Sequence, residues 1–157
     1  MTSAGIFIGA MAMSEPPERS PARVGYLIAR ADRGVRRGVA ARIAPHDLSL
    51  PQYTALSLLR ERGGLSNAQL ARRIFVTPQS MAAVISSLEE RGLIERTPAA
   101  GRVLSTELTV AGRHLLERCD ALVDAYEKEL LAELSPRQLT ALREALAKVA
   151  RAAESID

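Results

Sequence analysis

The feature that most constrains this chain is a pair of helix starts set close together. Ser66 followed by Gln69 has the spacing of a capping box, in which two side chains satisfy backbone N–H groups that a first helical turn leaves unpaired. The helix opened there runs to about Arg73. Four residues later Thr77-Pro78 supplies a new N-cap and a first helical residue that has no N–H to satisfy. This second helix continues through Met81, Val84, Ile85 and Leu88 to Arg91, where Gly92 provides the left-handed residue that ends it. So tight a turn between two helices is the helix-turn-helix arrangement.

What surrounds the pair narrows the fold further. Leu93 to Thr97 and Val103 to Leu108 are rich in strand formers and flank Pro98-Ala99-Ala100-Gly101, a hairpin tip. Upstream, Val24, Leu27, Ile28, Ala31, Val35, Val39 and Ile43 recur at three- and four-residue steps, which predicts an amphipathic helix ended by Pro45. Pro51 opens another, with Tyr53, Leu56 and Leu59 on its apolar face, which stops at Gly63-Gly64. Downstream, Thr109 caps a helix whose face carries Leu115, Cys119, Leu122, Tyr126 and Leu130. Ser135-Pro136 with Gln138 caps a last one, with Leu139, Leu142, Leu146, Val149, Ala153 and Ile156 in a seam that calls for a partner helix in a second subunit. The expected fold is mainly α: a winged helix-turn-helix with a two-stranded β wing and N- and C-terminal dimerisation helices. Residues 1–21 form a Pro-rich flexible arm, and 22–157 a single domain. Within that domain the winged helix-turn-helix spans about 51–108, and the dimerisation helices about 22–44 and 110–156.

Composition excludes several alternatives. Aromatic residues make up only 3% of the chain, so a core must be built from Leu, Ala, Val and Ile, as in packed helices. A single cysteine leaves no intrachain disulfide and fits a reducing cytoplasm. Cys119, on an apolar face, reads as a small hydrophobe. His46 and His114 lack any companion at metal-ligand spacing, so no metal or other cofactor is expected. The apolar start Gly5 to Met13 is too short to span a bilayer and has no basic residue before it, and Met11 and Met13 offer alternative translation starts. No nucleophile with a base, paired acids or phosphate-binding glycine loop is visible, which argues against an enzyme. Charge is unevenly spread: residues 1–59 and 60–102 each carry seven arginines against four acids, while 103–157 carry seven bases against ten acids. A basic body with an acidic end suits a polyanionic partner on one side.

Double-stranded DNA is the expected partner. In a winged helix-turn-helix the second helix enters the major groove, and here its start presents Thr77, Gln79 and Ser80, with Ser66 at the head of the preceding helix. Free N–H groups at such a helix start also favour a phosphate. Arg72, Arg73 and Arg96 suit phosphate contacts rather than base reading.

The stretches Leu65-Ser66-Asn67-Ala68-Gln69-Leu70-Ala71, Val76-Thr77-Pro78-Gln79-Ser80-Met81, Leu88-Glu89-Glu90-Arg91-Gly92-Leu93-Ile94-Glu95-Arg96 and Leu108-Thr109-Val110-Ala111-Gly112 resemble the MarR family of bacterial regulators, with element order matching from about Val24 to Val149. The resemblance implies a homodimeric repressor on a pseudo-palindromic operator, joined through the first and last two helices and released by a small phenolic or aromatic acid. The family's wing commonly carries an Asp-Arg pair; this shorter tip has Gly101-Arg102, with Arg102 at the minor-groove arginine. Two recognition-helix positions that are often basic in relatives are Ala83 and Ser87, which shifts base reading toward Gln79, Ser80 and contact of Ala82 or Ala83 with thymine methyls. Redox-sensing relatives place their cysteine near the start of the first helix, where this chain has none. Near the family's effector cavity stand Tyr26, Arg30 and Tyr53, a set able to hold an aromatic carboxylate by charge and stacking. The alternative is a ligand-insensitive architectural or accessory DNA-binding dimer.

Overall fold

The computed structural model describes residues 22–98 and 104–156. The expected arm 1–21 and the wing tip with Gly101 and Arg102 lie outside the described residues.

Helix α1 (Val24–Ile43) buries only Val39 and Ile43, at its C-terminal end. Val24, Tyr26, Leu27 and Val35 are exposed, so the apolar stripe read from the sequence meets this chain's own core only in its last turns. Pro45 falls in a short 3-10 turn, Ala44–His46, that closes on Asp47. Helix α2 (Leu50–Glu61) starts one residue before Pro51, because Ser49 and Gln52 form a reciprocal capping box. Its Ala55, Leu56 and Leu59 are buried at the centre of the molecule.

Helices α3 (Asn67–Ile74) and α4 (Pro78–Glu90) begin at the caps read from the sequence, Ser66 with Gln69 and Thr77. Gly92, with φ of 66°, follows α4. Strands β1 (Ile94–Pro98) and β2 (Leu104–Leu108) pair antiparallel, Ile94 opposite Leu108 and Pro98 opposite Leu104. The loop between α2 and α3 adds a residue to this sheet: Leu65 bridges Thr106, and the Gly64 N–H donates to the Thr106 carbonyl at 3.2 Å. Helices α5 (Val110–Leu130) and α6 (Pro136–Ile156) complete the chain. This is the mainly helical, winged arrangement expected. Among the described residues no helix is long and apolar enough to cross a membrane.

The core gathers Leu56 of α2, Leu70 of α3, Met81, Ile85 and Leu88 of α4, Leu116 and Cys119 of α5 and Ile43 of α1, all buried. Burial pushes the Cys119 thiol up from its ordinary pKa, as suits a small core hydrophobe. On α5 the expected apolar face is only partly used, since Leu122 and Leu130 are exposed while Leu116 joins the core. Beyond Cys119, Val123 and Tyr126 pack against the edge of the core, and Tyr126 also meets α1. The Tyr126 hydroxyl donates to the Gly34 carbonyl at 3.4 Å, and its ring lies 4.4 Å from the Arg42 guanidinium carbon. Gly38 makes the close crossing possible, since a Cβ there would fall 2.1 Å from the Tyr126 ring.

A clamp fixes the wing to α4. The Thr109 hydroxyl donates to the Gly92 carbonyl at 2.7 Å and caps α5 by accepting the Gly112 N–H at 3.0 Å. The Thr109 N–H in turn reaches the Leu93 carbonyl at 3.2 Å. The end of α4, the start of β1 and the start of α5 are therefore tied within a few residues.

Candidate nucleic-acid interface

Helix α4 has two unlike faces. Met81, Ile85 and Leu88 are buried, whereas Gln79, Ser80, Ala82, Ala83 and Ser86 are exposed. Spacing explains the division, because positions three and four apart share one side of a helix. Hydrophobic burial thus anchors one side and leaves small and polar groups on the other.

The N-terminus of α4 is chemically spare. Pro78 has no N–H, the Ser80 N–H is taken by the Thr77 hydroxyl oxygen at 3.1 Å, and the Met81 N–H by the Thr77 carbonyl at 3.0 Å. Among the described residues, Gln79 is the one of the first four helical positions whose N–H has no acceptor. The Thr77 and Ser80 hydroxyls lie 2.8 Å apart and one donates to the other, so the acceptor's O–H is the one left for an external partner. The Gln79 side chain projects into solvent beside them.

Ser66 occupies the matching place on α3, accepting the Gln69 N–H at 3.3 Å, while the Gln69 side chain accepts the Ser66 N–H at 2.8 Å. Asn67, which the sequence did not single out, joins the two helix starts: its amide donates to the Pro78 carbonyl at 3.0 Å. Ser87 sits at the edge of the α4 face, half-buried, and accepts a hydrogen bond from the Gln52 amide at 3.0 Å. Ala83 is exposed one turn earlier.

The arginines divide by role. Arg96 is paired with Glu89, its Nε donating at 2.9 Å, and that hydrogen bond holds the Glu89 carboxyl below the usual carboxylate range. It fastens β1 to α4. Arg91 donates to the backbone carbonyls of Asp47 at 2.7 Å and His46 at 3.3 Å, fixing the other end of α4. Arg72 and Arg73, in the last turn of α3, are exposed.

Among the described residues no hydrogen bond joins the three effector candidates. Tyr26 and Arg30 stand exposed on the first turns of α1. Tyr53 is half-buried on α2, and its hydroxyl donates to Asp120 of α5 at 2.8 Å; Asp120 also takes the Arg60 guanidinium. Burial, then the Asp120 hydrogen bond and charge, push the Tyr53 pKa well above its ordinary value, so the hydroxyl stays protonated. No spacing in the sequence signals this polar strap between α2 and α5. Two surface hollows lie elsewhere. One, of about 420 Å3, is lined by residues such as Lys128, Leu131, Leu139 and Arg143 at the α5–α6 turn. The other, of about 250 Å3, includes Arg60, Glu107 and Arg113. Neither takes lining from Tyr26, Arg30 or Tyr53.

Comparison with known proteins agrees with this geometry. The MarR family model matches residues 48–101, a stretch that takes in α2, α3, α4 and β1. The HTH-type transcriptional repressor Rv2887 of Mycobacterium tuberculosis is 38% identical over 130 residues, covering 82% of this chain and 94% of that protein. Its crystal structure in complex with DNA superposes with a TM-score of 0.70 at 36% identity, over 82% of this chain and 98% of that one. Its complex with salicylic acid gives a TM-score of 0.69 at 39% identity, over 82% and 96%. CouR from Rhodococcus jostii RHA1 bound to p-coumaroyl-CoA gives 0.73 at 27% identity, over 83% and 96%.

Proposed function

The chain belongs to the MarR family, and from that premise we propose that it is a homodimeric transcriptional repressor that reads a pseudo-palindromic operator with α4 and leaves it when an aromatic acid binds. The observation that carries the reading is the two-faced α4. Its buried Met81, Ile85 and Leu88 hold it against the core, while its outer face offers Gln79, the Thr77–Ser80 hydroxyl pair and the methyls of Ala82 and Ala83. These are groups that suit base edges and thymine methyls in a major groove. Ser66, at the head of α3, suits a flanking phosphate, Ser87 the far edge of the same face, and Arg102 of the wing the minor groove.

Dimerisation is supported by apolar side chains that this chain leaves uncovered. Leu142, Leu146 and Val149 of α6 and Val24 and Leu27 of α1 are exposed, and they belong to the helices through which the family's resemblance implies pairing. We infer that residues 22–157 act as one domain of such a dimer, with half-sites about 10 base pairs apart. The effector reading draws on the salicylate complex of the M. tuberculosis relative together with Tyr26, Arg30 and Tyr53. In a dimer the exposed start of α1 gains neighbours that a single chain does not supply.

The test is a duplex selected from a random pool by the purified protein, followed by titration in a series of salt concentrations and then with salicylate. Binding should weaken steeply as salt rises, because phosphate neutralisation releases counterions. Salicylate at up to millimolar concentration should release the duplex. Failure to select any duplex would remove the repressor reading; selection without release would remove the effector.

A further inference from the structure

Phe75 sits in the turn between α3 and α4 with φ of 59° and ψ of 44°, the left-handed region that residues with a Cβ avoid, and the residue is 85% exposed. Nothing in the fold calls for a ring there. Backbone hydrogen bonds already end α3, since the N–H groups of both Phe75 and Val76 reach the Ala71 carbonyl. Glycine is the residue that such a helix end favours. A strained backbone bearing an unburied aromatic side chain points to a contact made outside the chain.

The surroundings identify that contact. Phe75 comes two residues before Thr77, so its Cα lies within about 7.6 Å of the α4 cap, which puts this exposed residue beside the helix start. Arg72 and Arg73, exposed in the preceding turn, and the free Gln79 N–H at the positive end of α4 make this neighbourhood electropositive. An apolar protein partner gains little from such surroundings. A DNA strand matches them, because its phosphates suit the cations while the deoxyribose between phosphates presents an apolar C–H edge.

We propose that Phe75 packs on the deoxyribose edge of the backbone bordering the groove that α4 enters, a contact that rests on the DNA-reading function above. It would set the depth and angle of α4 in the groove by shape, without choosing bases.

The chain has no tryptophan, so Phe75→Trp places a single fluorescent reporter at the position. With the duplex selected by the wild-type protein, the emission of this variant should shift and quench on binding. Phe75→Gly relieves the left-handed strain and should leave Tm unchanged or higher, yet weaken binding by about tenfold, the equivalent of losing about half the burial of a Phe side chain. Phe75→Asn, which tolerates the same backbone angles, should behave alike. The slope of affinity against salt should not change in either, because no phosphate contact is lost. Wild-type affinity in Phe75→Gly, indole emission from Phe75→Trp that is blind to DNA, or a salt slope reduced by about one phosphate would each overturn the contact. Any of these with normal wild-type binding leaves the repressor reading intact, whereas a wild-type chain that selects no duplex removes both.

Discussion

Gly112→Ala tests whether the clamp at the wing is as close as the structure draws it. A Cβ at Gly112 would lie 2.0 Å from the Leu93 carbonyl oxygen and 3.0 Å from its carbon. Real Cβ contacts essentially never fall below 3.0 Å, so α5 and the start of β1 must part by about 1 Å. The neighbour is backbone and has no rotamer to turn away. Overpacking of this kind costs about 1–3 kcal/mol, and separation also stretches the Thr109 N–H bond to the Leu93 carbonyl, worth about 1 kcal/mol. Alanine's better helix propensity returns at most about 1 kcal/mol. The net loss should be about 1–3 kcal/mol, a fall in Tm of about 3–10 °C for a chain of this size. Gly38→Ala is the internal comparison, because its Cβ meets the far end of the Tyr126 side chain at 2.1 Å, and that ring can swing aside. It should lose less. Circular dichroism melts at one fixed protein concentration would decide. A Gly112→Ala protein as stable as wild type, or more stable than Gly38→Ala, would refute the close approach of α5 to Leu93.

Arg102→Ala should weaken operator binding by about 1–3 kcal/mol and lower the salt slope, while Gln79→Ala relaxes base choice at one or two half-site positions with the slope nearly unchanged; anisotropy titrations on operator variants separate them. Tyr53 binds its proton more tightly folded than unfolded, so the stability it contributes is complete below about pH 10, the ordinary tyrosine value, and is lost as pH rises beyond it. Urea midpoints from pH 8 to 11 should therefore fall less steeply in Tyr53→Phe, and parallel curves would contradict the strap to Asp120. Leu146→Glu puts a charge into the exposed apolar face of α6 and should shift the sedimenting species to a monomer at micromolar concentration. A dimer of unchanged strength would move the interface elsewhere.

Helix boundaries are readable from the sequence wherever a side chain caps its own helix. Ser66 with Gln69, Thr77 with Pro78, Thr109, and Ser135 with Gln138 all stand where helices begin, because each signal acts over three or four residues. Ser49 with Gln52 carries the same signal, but Pro51 is the more conspicuous mark, and it places the start of α2 one residue late. Contacts between distant residues leave no such trace. Asp120 meets Tyr53 and Arg60 from sixty or more positions away, and Leu65 bridges Thr106 across the whole of α3 and α4. Periodicity also overstates the core of one chain: the apolar residues of α1 and α6 repeat at helical spacing whether a neighbouring helix or a second subunit covers them. Within the interface, residue identities at 77, 79 and 80 are plain, but the hydrogen bond between the two hydroxyls depends on a 2.8 Å distance that no spacing rule supplies.

The division of labour along α4 bears on how such a protein can change over generations. Its start is set by Thr77 and Pro78, its seat by Met81, Ile85 and Leu88, and its far end by Arg91 on the carbonyls of His46 and Asp47. Gln79, Ala82, Ala83 and Ser86 take part in none of these. A gene copy could therefore drift at those four codons, acquiring a new target sequence while folding as before. Selection on the remaining α4 positions would act on the scaffold, and selection on these four would act on the regulon.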